Sequence, residues 1–280
     1  GVKTGNQLND ISGYNNNGLI SGDPVLVDGH LDLGTVGNFT KSTALRLNHV
    51  GGDFEGQEYI TIPDTATNGV RMNHTQFSEF FRIRVLDNAE DDNRNPTLLH
   101  KIEDDSITYG RLYSIDGSRL EIQIVDNGTT TSVHTNTGVM NVQDDDDDPY
   151  DIWITYNHTG NAVVCNVNNS DKTLSSMSAI NWDSDPTDHN LSIGRRGSGT
   201  DEDEDGGHAK IDLYDYKYYD NRLVNSTQMG YHWANKWSIS NITFGHVLIG
   251  NYWATYSGSG GVDTVVQENI SYDPTSYYST

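Results

Sequence analysis

The chain has one cysteine in 280 residues, Cys165, so no internal disulfide framework can hold it together. The residues around that cysteine, AVVCNV, are apolar and carry no basic group, which predicts a buried core position and not a reactive thiol. No run of about 18 apolar residues occurs, so no transmembrane helix is expected. Lysine is scarce, at 7 residues. Helical periodicity is nearly absent; only residues 227–237 have a short helical look. The sequence also lacks G-x-S-x-G and H-E-x-x-H, and its ten histidines are scattered.

Negative charge, by contrast, is abundant. There are 31 Asp and 9 Glu against 17 Lys and Arg, and the net charge is −23. Such a field repels nucleic acid and anionic membranes, and both are excluded as expected partners. The 16 Tyr, 5 Trp and 6 Phe lie in strand-like runs, which argues against disorder. Short, strongly hydrated carboxylates with few long lysine stems describe a surface adapted to high salt. Nine N-x-S/T sequons, at Asn38, Asn73, Asn127, Asn157, Asn168, Asn190, Asn225, Asn241 and Asn269, point to a chain that faces the outside of a membrane and carries N-glycans. The chain begins at Gly1 without an initiator Met or an apolar signal region, so upstream sequence is expected to have been removed.

The pattern along the chain is that of strands. Residues 210–224, KIDLYDYKYYDNRLV, alternate apolar and polar with one change of phase after Leu213, as a β-bulge would give. This predicts a long central strand that ends at Asp220-Asn221 and returns Leu223 to the core. Residues 44–63 read as a hairpin closed by Gly-Gly-Asp and ended by Pro63. Residues 77–86 read as a half-buried strand, with Phe81, Ile83 and Val85 against Arg82 and Arg84. Further strands are expected at 98–102, 110–115, 120–125, 133–142, 152–156, 163–167 and 262–270. The five consecutive aspartates at 144–148 must form a solvated loop.

Several of these pieces resemble, in order, the laminin-G-like members of the concanavalin A-like jelly-roll superfamily. Asp10, Ser12, Gly13, Asn16 and Gly18 fit its opening D-x-S-G-x-G-N-x-G loop, with Asn15 in place of the middle glycine. Leu45 and Leu47 followed by Tyr59, Ile60, Ile62 and Pro63 resemble its A-L-x-F…Y-V-x-V-P unit. Residues 151–169 resemble its W-x-x-I…V-N-G hairpin, with Asn168-Asn169 at the turn, and Leu191, Ile193 and Gly194 resemble its L-x-I-G strand. Leu213, Asp215, Tyr216, Tyr218, Tyr219, Asp220 and Leu223 resemble its closing strand. The resemblance implies an all-β, antiparallel, two-sheet jelly-roll sandwich over 1–225. Residues 226–280, with Trp233, Trp237 and Trp253, are then a C-terminal aromatic extension that adds strands or makes an assembly contact.

Three kinds of site can be weighed. The glucan-cleaving jelly rolls of the superfamily carry E-x-D-x-x-E on one strand, which is missing here; Glu202 and Glu204 stand among aspartates, and Glu121 has no partner two residues on. Asp201, Asp203 and Asp205, followed by Gly206, fit the start of a D-x-D-x-D-G calcium loop, with Asp212 twelfth in the frame. Aromatic anchors for a glycan would be Tyr216, Tyr218, Trp153 and Trp182, although strand aromatics are more often core. The expectation is a non-catalytic lectin-like module, extracellular, at the cell surface or on a virion. It would be an adhesion or structural protein of a halophilic archaeon or its virus, such as a turret, spike or tail component. Its partners would be other copies, neighbouring surface or virion proteins, or cell-surface glycans. The alternatives are a secreted glycan-binding domain of a carbohydrate-degrading system and a glycoside hydrolase. The hydrolase would need paired carboxylates about 5 to 10 Å apart in a cleft.

Overall fold

Alternating apolar residues place most of the described residues in strands, and in a computed structural model these pair into three antiparallel sheets. The structure describes residues 2–4, 7–10, 16–22, 24–28, 43–48, 58–64, 76–87, 95–102, 109–126, 128–144, 147–157, 159–160, 162–175, 190–196 and 207–235, and the backbone of strands within 244–266. The N-terminal third contributes β1 Val2–Thr4, β2 Gln7–Asn9, β3 Gly18–Ser21, β4 Val25–Asp28, β5 Thr43–Leu47 and β6 Tyr59–Ile62. The middle contributes β7 Gln76–Val85, β8 Thr97–Ile102, β9 Tyr109–Asp116, β10 Arg119–Asp126 and β11 Thr129–His134. Then follow β12 Tyr150–Asn157, β13 Ala162–Val167, β14 Ser170–Lys172, β15 Leu191–Ile193 and β16 Ile211–Asp220. Helix α1, Ser226–Asn235, comes next, and then β17 Phe244–Ile249, β18 Tyr252–Ser257 and β19 Val262–Val266.

One sheet has nine strands in the order β1-β2-β3-β6-β15-β8-β9-β10-β11, and the other has seven, β14-β13-β12-β7-β16-β5-β4. Their inward faces share one apolar core. It draws Ile60, Ile62, Leu99, Tyr113, Ile122 and Ile193 from the first sheet, and Leu45, Phe77, Phe81, Ile152, Ile154 and Ile211 from the second. This is the expected jelly-roll sandwich. Gly1–His30 and Thr43–Trp233 form one compact unit, and Ala234–Thr280 falls in a second. The strands β17, β18 and β19 make an antiparallel meander of their own.

The strand at 210–220 behaves as its sequence indicates. β16 lies between β7 and β5, and its register with β7 slips between Leu213 and Asp215, so Tyr214 is the extra residue. The slip keeps Ile211 and Leu213 on the core face before it and Tyr216 and Tyr218 on that face after it. Asn168 and Asn169 adopt positive φ, 54° and 59°, and close the two-residue turn between β13 and β14. In the loop before β3, Asp10 N–H donates to Asn17 Oδ1 at 2.7 Å, and Asn16 N–H donates to Asp10 Oδ2 at 2.9 Å. Gly18 ends that loop because a Cβ there would stand 2.7 Å from Ile60 Cγ2.

Four expectations are corrected. Residues 44–63 are not a hairpin: β5 belongs to the seven-stranded sheet and β6 to the nine-stranded one. Asn48, just after β5, is in left-handed backbone at φ 54°. Its side chain accepts from Glu58 N–H at 2.9 Å and donates to the carbonyls of Ala209 at 2.9 Å and Gly194 at 3.2 Å. The strand β7 is buried on both faces, not half-buried, and Arg84 is only 1% exposed. The strand expected at 133–142 ends at His134 and begins earlier, at Thr129. Finally, Val224 and not Leu223 is buried at the foot of β16.

Cys165 is fully buried in the core, and burial pushes its thiol pKa up to about 12. Native protein should therefore leave Ellman's reagent uncoloured at pH 8 over an hour, whereas protein in 6 M guanidinium should release about one equivalent of thionitrobenzoate. Fast labelling of the native form would contradict this packing.

Candidate functional site

Among the described residues, chemistry-bearing side chains gather at three places, one inside the sandwich and two on its outer faces. The interior group centres on Glu79. On β7 it shares a face with Phe77 and Phe81, so the pleat points its carboxylate at the other sheet. Arg111 on β9 meets it with two hydrogen bonds, Nε to Oε2 at 3.0 Å and Nη2 to Oε1 at 2.7 Å. Tyr216 Oη donates to Oε1 at 2.8 Å, and Tyr113 Oη donates to Oε2. Both partners of the ion pair are 0% exposed. Phe77 and Tyr218 rings lie 5.7 and 5.1 Å from the Arg111 guanidinium carbon.

Burial works against the Arg111 charge, but Glu79, Tyr113 and Tyr216 together outweigh it and hold the guanidinium well above its ordinary pKa. Burial, then the Glu79 charge, raise the Tyr113 and Tyr216 phenols well above theirs. The group is a locked charge pair with two neutral donors, walled off from water. It cannot receive a substrate without opening the sandwich.

A second interior pair, Lys101 Nζ to Asp64 Oδ2 at 2.8 Å, is equally buried. In these two pairs four charged side chains are buried, and each charge faces its opposite. The phase of β7 carries the sequence signal for Glu79, which sits in register with Phe77, Phe81 and Ile83.

The outer face of the seven-stranded sheet is a lattice set by register. Arg46, Asp212 and Arg84 stand in one cross-strand row, and Asp215, Arg82 and Asp151 in the next. Lys217, Phe80, Trp153 and Asn166 form the third. Charge alternates along the first two rows. Arg46 grips Asp212 with both Nε and Nη2, at 2.7 and 3.0 Å, and Arg84 Nη1 adds a contact of 3.3 Å. Arg82 grips Asp151 in the same fork at 2.6 and 2.8 Å. Burial tends to raise the Asp151 pKa, but Arg82 and His232 together hold it below the usual value.

Helix α1 covers the third row. Phe80, Trp153, Val224 and Met229 form a small core with Tyr219 against it. His232 meets the Phe80 ring edge-on at 4.5 Å and that of Trp153 at 5.5 Å, and its Nδ1 lies 3.7 Å from Asp151 Oδ2. Asn225 caps the helix in a reciprocal box: Gln228 N–H donates to Asn225 Oδ1, and Asn225 N–H donates to Gln228 Oε1, both at 3.0 Å. Ser78 Oγ donates to Arg222 O at 2.8 Å and accepts from Val224 N–H at 2.9 Å, which ties the helix entrance to β7.

On the outer face of the nine-stranded sheet, Glu121 gathers uncharged donors. Ser132 Oγ, Gln123 Nε2, Ser114 Oγ and Asn95 Nδ2 reach its carboxylate at 2.6, 3.1, 3.2 and 3.4 Å. Partial burial tends to raise its pKa, and the four hydrogen bonds win and lower it. Glu121 is therefore a charged acceptor at working pH and has no second carboxylate in this group.

The residues singled out from the sequence are not brought together. Tyr216 and Tyr218 point into the core, and Trp153 lies under α1 at 4% exposure, so none of the three offers a free stacking face. Trp182, Asp201, Asp203, Asp205, Glu202 and Glu204 lie outside the described residues. Asp212, twelfth in the calcium frame, is 0% exposed and taken by Arg46 and Arg84. Among the described residues no three His, Cys, Asp or Glu side chains cluster as metal ligands, and no helix is long and apolar enough to cross a membrane. Of the sequons, Asn157, Asn168, Asn190 and Asn225 are described; Asn38, Asn73, Asn127, Asn241 and Asn269 lie outside.

Two outcomes test this electrostatic account. Glu79→Ala strands the Arg111 charge between the sheets and should cost about 3 to 5 kcal/mol in urea unfolding; a loss under 1 kcal/mol would contradict it. Asp151 has a folded pKa below its unfolded value of about 3.9, so its stabilisation is present above pH 4 and lost as pH falls through the folded pKa. Asp151→Asn should therefore lower the Tm at pH 7 and flatten its fall between pH 4 and 2. Parallel acid limbs for the two proteins would contradict that.

No protein-family model matches the chain, and no curated protein sequence does. Solved structures do share its fold. The binding domain of Paraclostridial Mosquitocidal Protein 1 superposes with a TM-score of 0.58 at 17% identity, over 86% of this chain and 52% of that one. The botulinum neurotoxin serotype G binding domain gives 0.54 at 18% identity, over 84% and 49%. The binding domain of botulinum neurotoxin DC, solved in complex with rat synaptotagmin II, gives 0.51 at 10%, over 91% and 60%. This chain thus spans about half to three-fifths of the length of those domains. At such identities the likeness is one of fold: the chain is a jelly-roll-like β-sandwich of the kind these toxin binding domains are built on.

Proposed function

We propose that this chain is a non-catalytic binding or structural module that acts outside the cell, with a laminin-G-like jelly roll as its scaffold. The observation that carries this is the commitment of its inner and sheet-face carboxylates. Glu79, Asp64, Asp151 and Asp212 are each held by Arg or Lys, and Glu121 by four neutral donors. Hydrolysis of a glycoside needs two carboxyls free to meet one substrate, and these five each serve the scaffold. The likeness of fold to toxin binding domains supports recognition in place of turnover, as an analogy of architecture. The acidic surface supports a halophilic archaeon or its virus as the source, with the module in a turret, spike or tail, or in the cell envelope.

In this proposal residues 1–225 carry the jelly roll, and within 226–280 the part beyond helix α1 supplies the assembly contact to another copy or to a neighbouring surface protein. Cell-surface glycans are the second class of partner. Calcium at Asp201, Asp203 and Asp205 belongs to the same proposal, and a Tm unchanged between millimolar calcium and EGTA would remove it.

Removing the C-terminal segment at two points tests the assembly role. A chain ending at Asn225 loses Met229 and His232 from the face of Phe80 and Trp153, and it should melt lower and bind a hydrophobic dye. A chain ending at Asn235 keeps that cover. It should keep its Tm but run smaller than the full chain on size exclusion in molar salt. A glycan array read on both chains gives the other arm. Equal size and equal binding for the full chain and the one ending at Asn235 would overturn the assembly role, and turnover of any chromogenic glycoside would overturn the non-catalytic reading.

A further inference from the structure

The described sequons are not equivalent. An acceptor asparagine must present its Nδ2, and the hydroxyl two residues on must be open. At Asn190 that hydroxyl belongs to Ser192, which is 0% exposed within β15 between β6 and β8. Asn157 lies in β12 and is paired on both sides, with Gln76 and Ala162. Asn168 and Asn225 differ from both. Their partners Ser170 and Thr227 are exposed, Asn225 is exposed, and Asn168 is half-exposed.

The amide of each is also oriented. Asn168 Oδ1 accepts from Asp151 N–H at 2.9 Å, and Asn225 Oδ1 accepts from Gln228 N–H at 3.0 Å. Among the described residues neither Nδ2 makes a hydrogen bond. The oxygen is thus used by the fold and the nitrogen is left to carry a substituent, so a glycan there breaks no native bond.

We propose that Asn168 and Asn225 are N-glycosylated, that Asn190 is not, and that the two glycans flank helix α1. Asn225 caps the start of the helix, and a Cβ on Gly230 would stand 3.3 Å from Asn169, the neighbour of Asn168. Sugar at both places would shield the helix-covered face of the seven-stranded sheet and leave partner contacts to the rest of the surface. In the transfer, Asn Nδ2 bonds to the anomeric carbon of a sugar carried on a lipid-linked phosphate. The carbon–oxygen bond to that phosphate breaks, the phosphate leaves with the electron pair, and the amide nitrogen gives up one proton to base. The inference rests on the external placement proposed above, since such donors serve secreted chains.

The test is secretion of the full chain from yeast, with glycopeptide mass mapping of the folded fraction. Glycan on Asn168 and on Asn225, and none on Asn190, is expected. Ser170→Ala and Thr227→Ala should each remove one glycan's mass. Thr227→Ala keeps the Asn225 cap, so after enzymatic deglycosylation its Tm should equal that of the deglycosylated parent. A bare Asn168, a bare Asn225 or a glycan on Asn190 would overturn the assignment. Both glycans present with no assembly and no glycan-array binding would leave the assignment standing and sink the binding role instead.

Discussion

The sandwich depends on a carboxylate placed at its centre. Glu79 brings a charge into a space lined by Phe77, Phe81 and Tyr113, where an unmatched carboxylate would cost several kcal/mol. The observed arrangement of the two sheets meets that cost. Strand β9 must cross β7 so that the Arg111 fork reaches both carboxylate oxygens and Tyr113 and Tyr216 fill the remaining lone pairs. Apolar side chains of similar volume could hold the sheets as firmly, but they would tolerate a slip. The ion pair adds direction, because a sheet shifted by one residue leaves both charges bare. Cross-sheet aromatic contacts, such as the edge-on Phe81–Tyr113 pair at 6.0 Å, fall into place around it.

The outer face of the seven-stranded sheet follows a different rule. It is polar by sequence, yet the chain covers part of it with its own helix. The rows Arg46–Asp212–Arg84 and Asp215–Arg82–Asp151 pair their charges across strands, and the third row pairs aromatics with Met229 and His232 of α1. The alternation lets five arginines and aspartates lie at or below one-quarter exposure without a bare charge. The same arrangement leaves this face poorly suited to a sugar ring, because its aromatics already have partners.

Much of the fold was legible in the residues. The phase change after Leu213 gave the bulge, Asn168-Asn169 gave the turn, and the short helix fell at its expected place, because each rests on neighbours within a few positions. The change of sheet between β5 and β6 was not legible. A Gly-Gly-Asp between two alternating runs reads as a hairpin, whereas Asn48 at the end of β5 bonds to Gly194 and Ala209, about 150 residues away, contacts that local pattern cannot show. Arg84 looked solvent-facing for a similar reason: its burial comes from Asp212 and from the carbonyl of Asp147 in the aspartate loop.

By itself the sequence determined the class of the fold, the parity of its strands and the sign of its surface, since these follow from side-chain period and charge count. Tertiary structure decided which polar residues are interior. Glu79 and Glu121 are both glutamates in alternating strands, yet one faces Arg111 between two sheets and the other faces Ser132 and Ser114 near water. Their difference lies in which sheet covers each face. That is a matter of long-range pairing, and local periodicity carries no record of it.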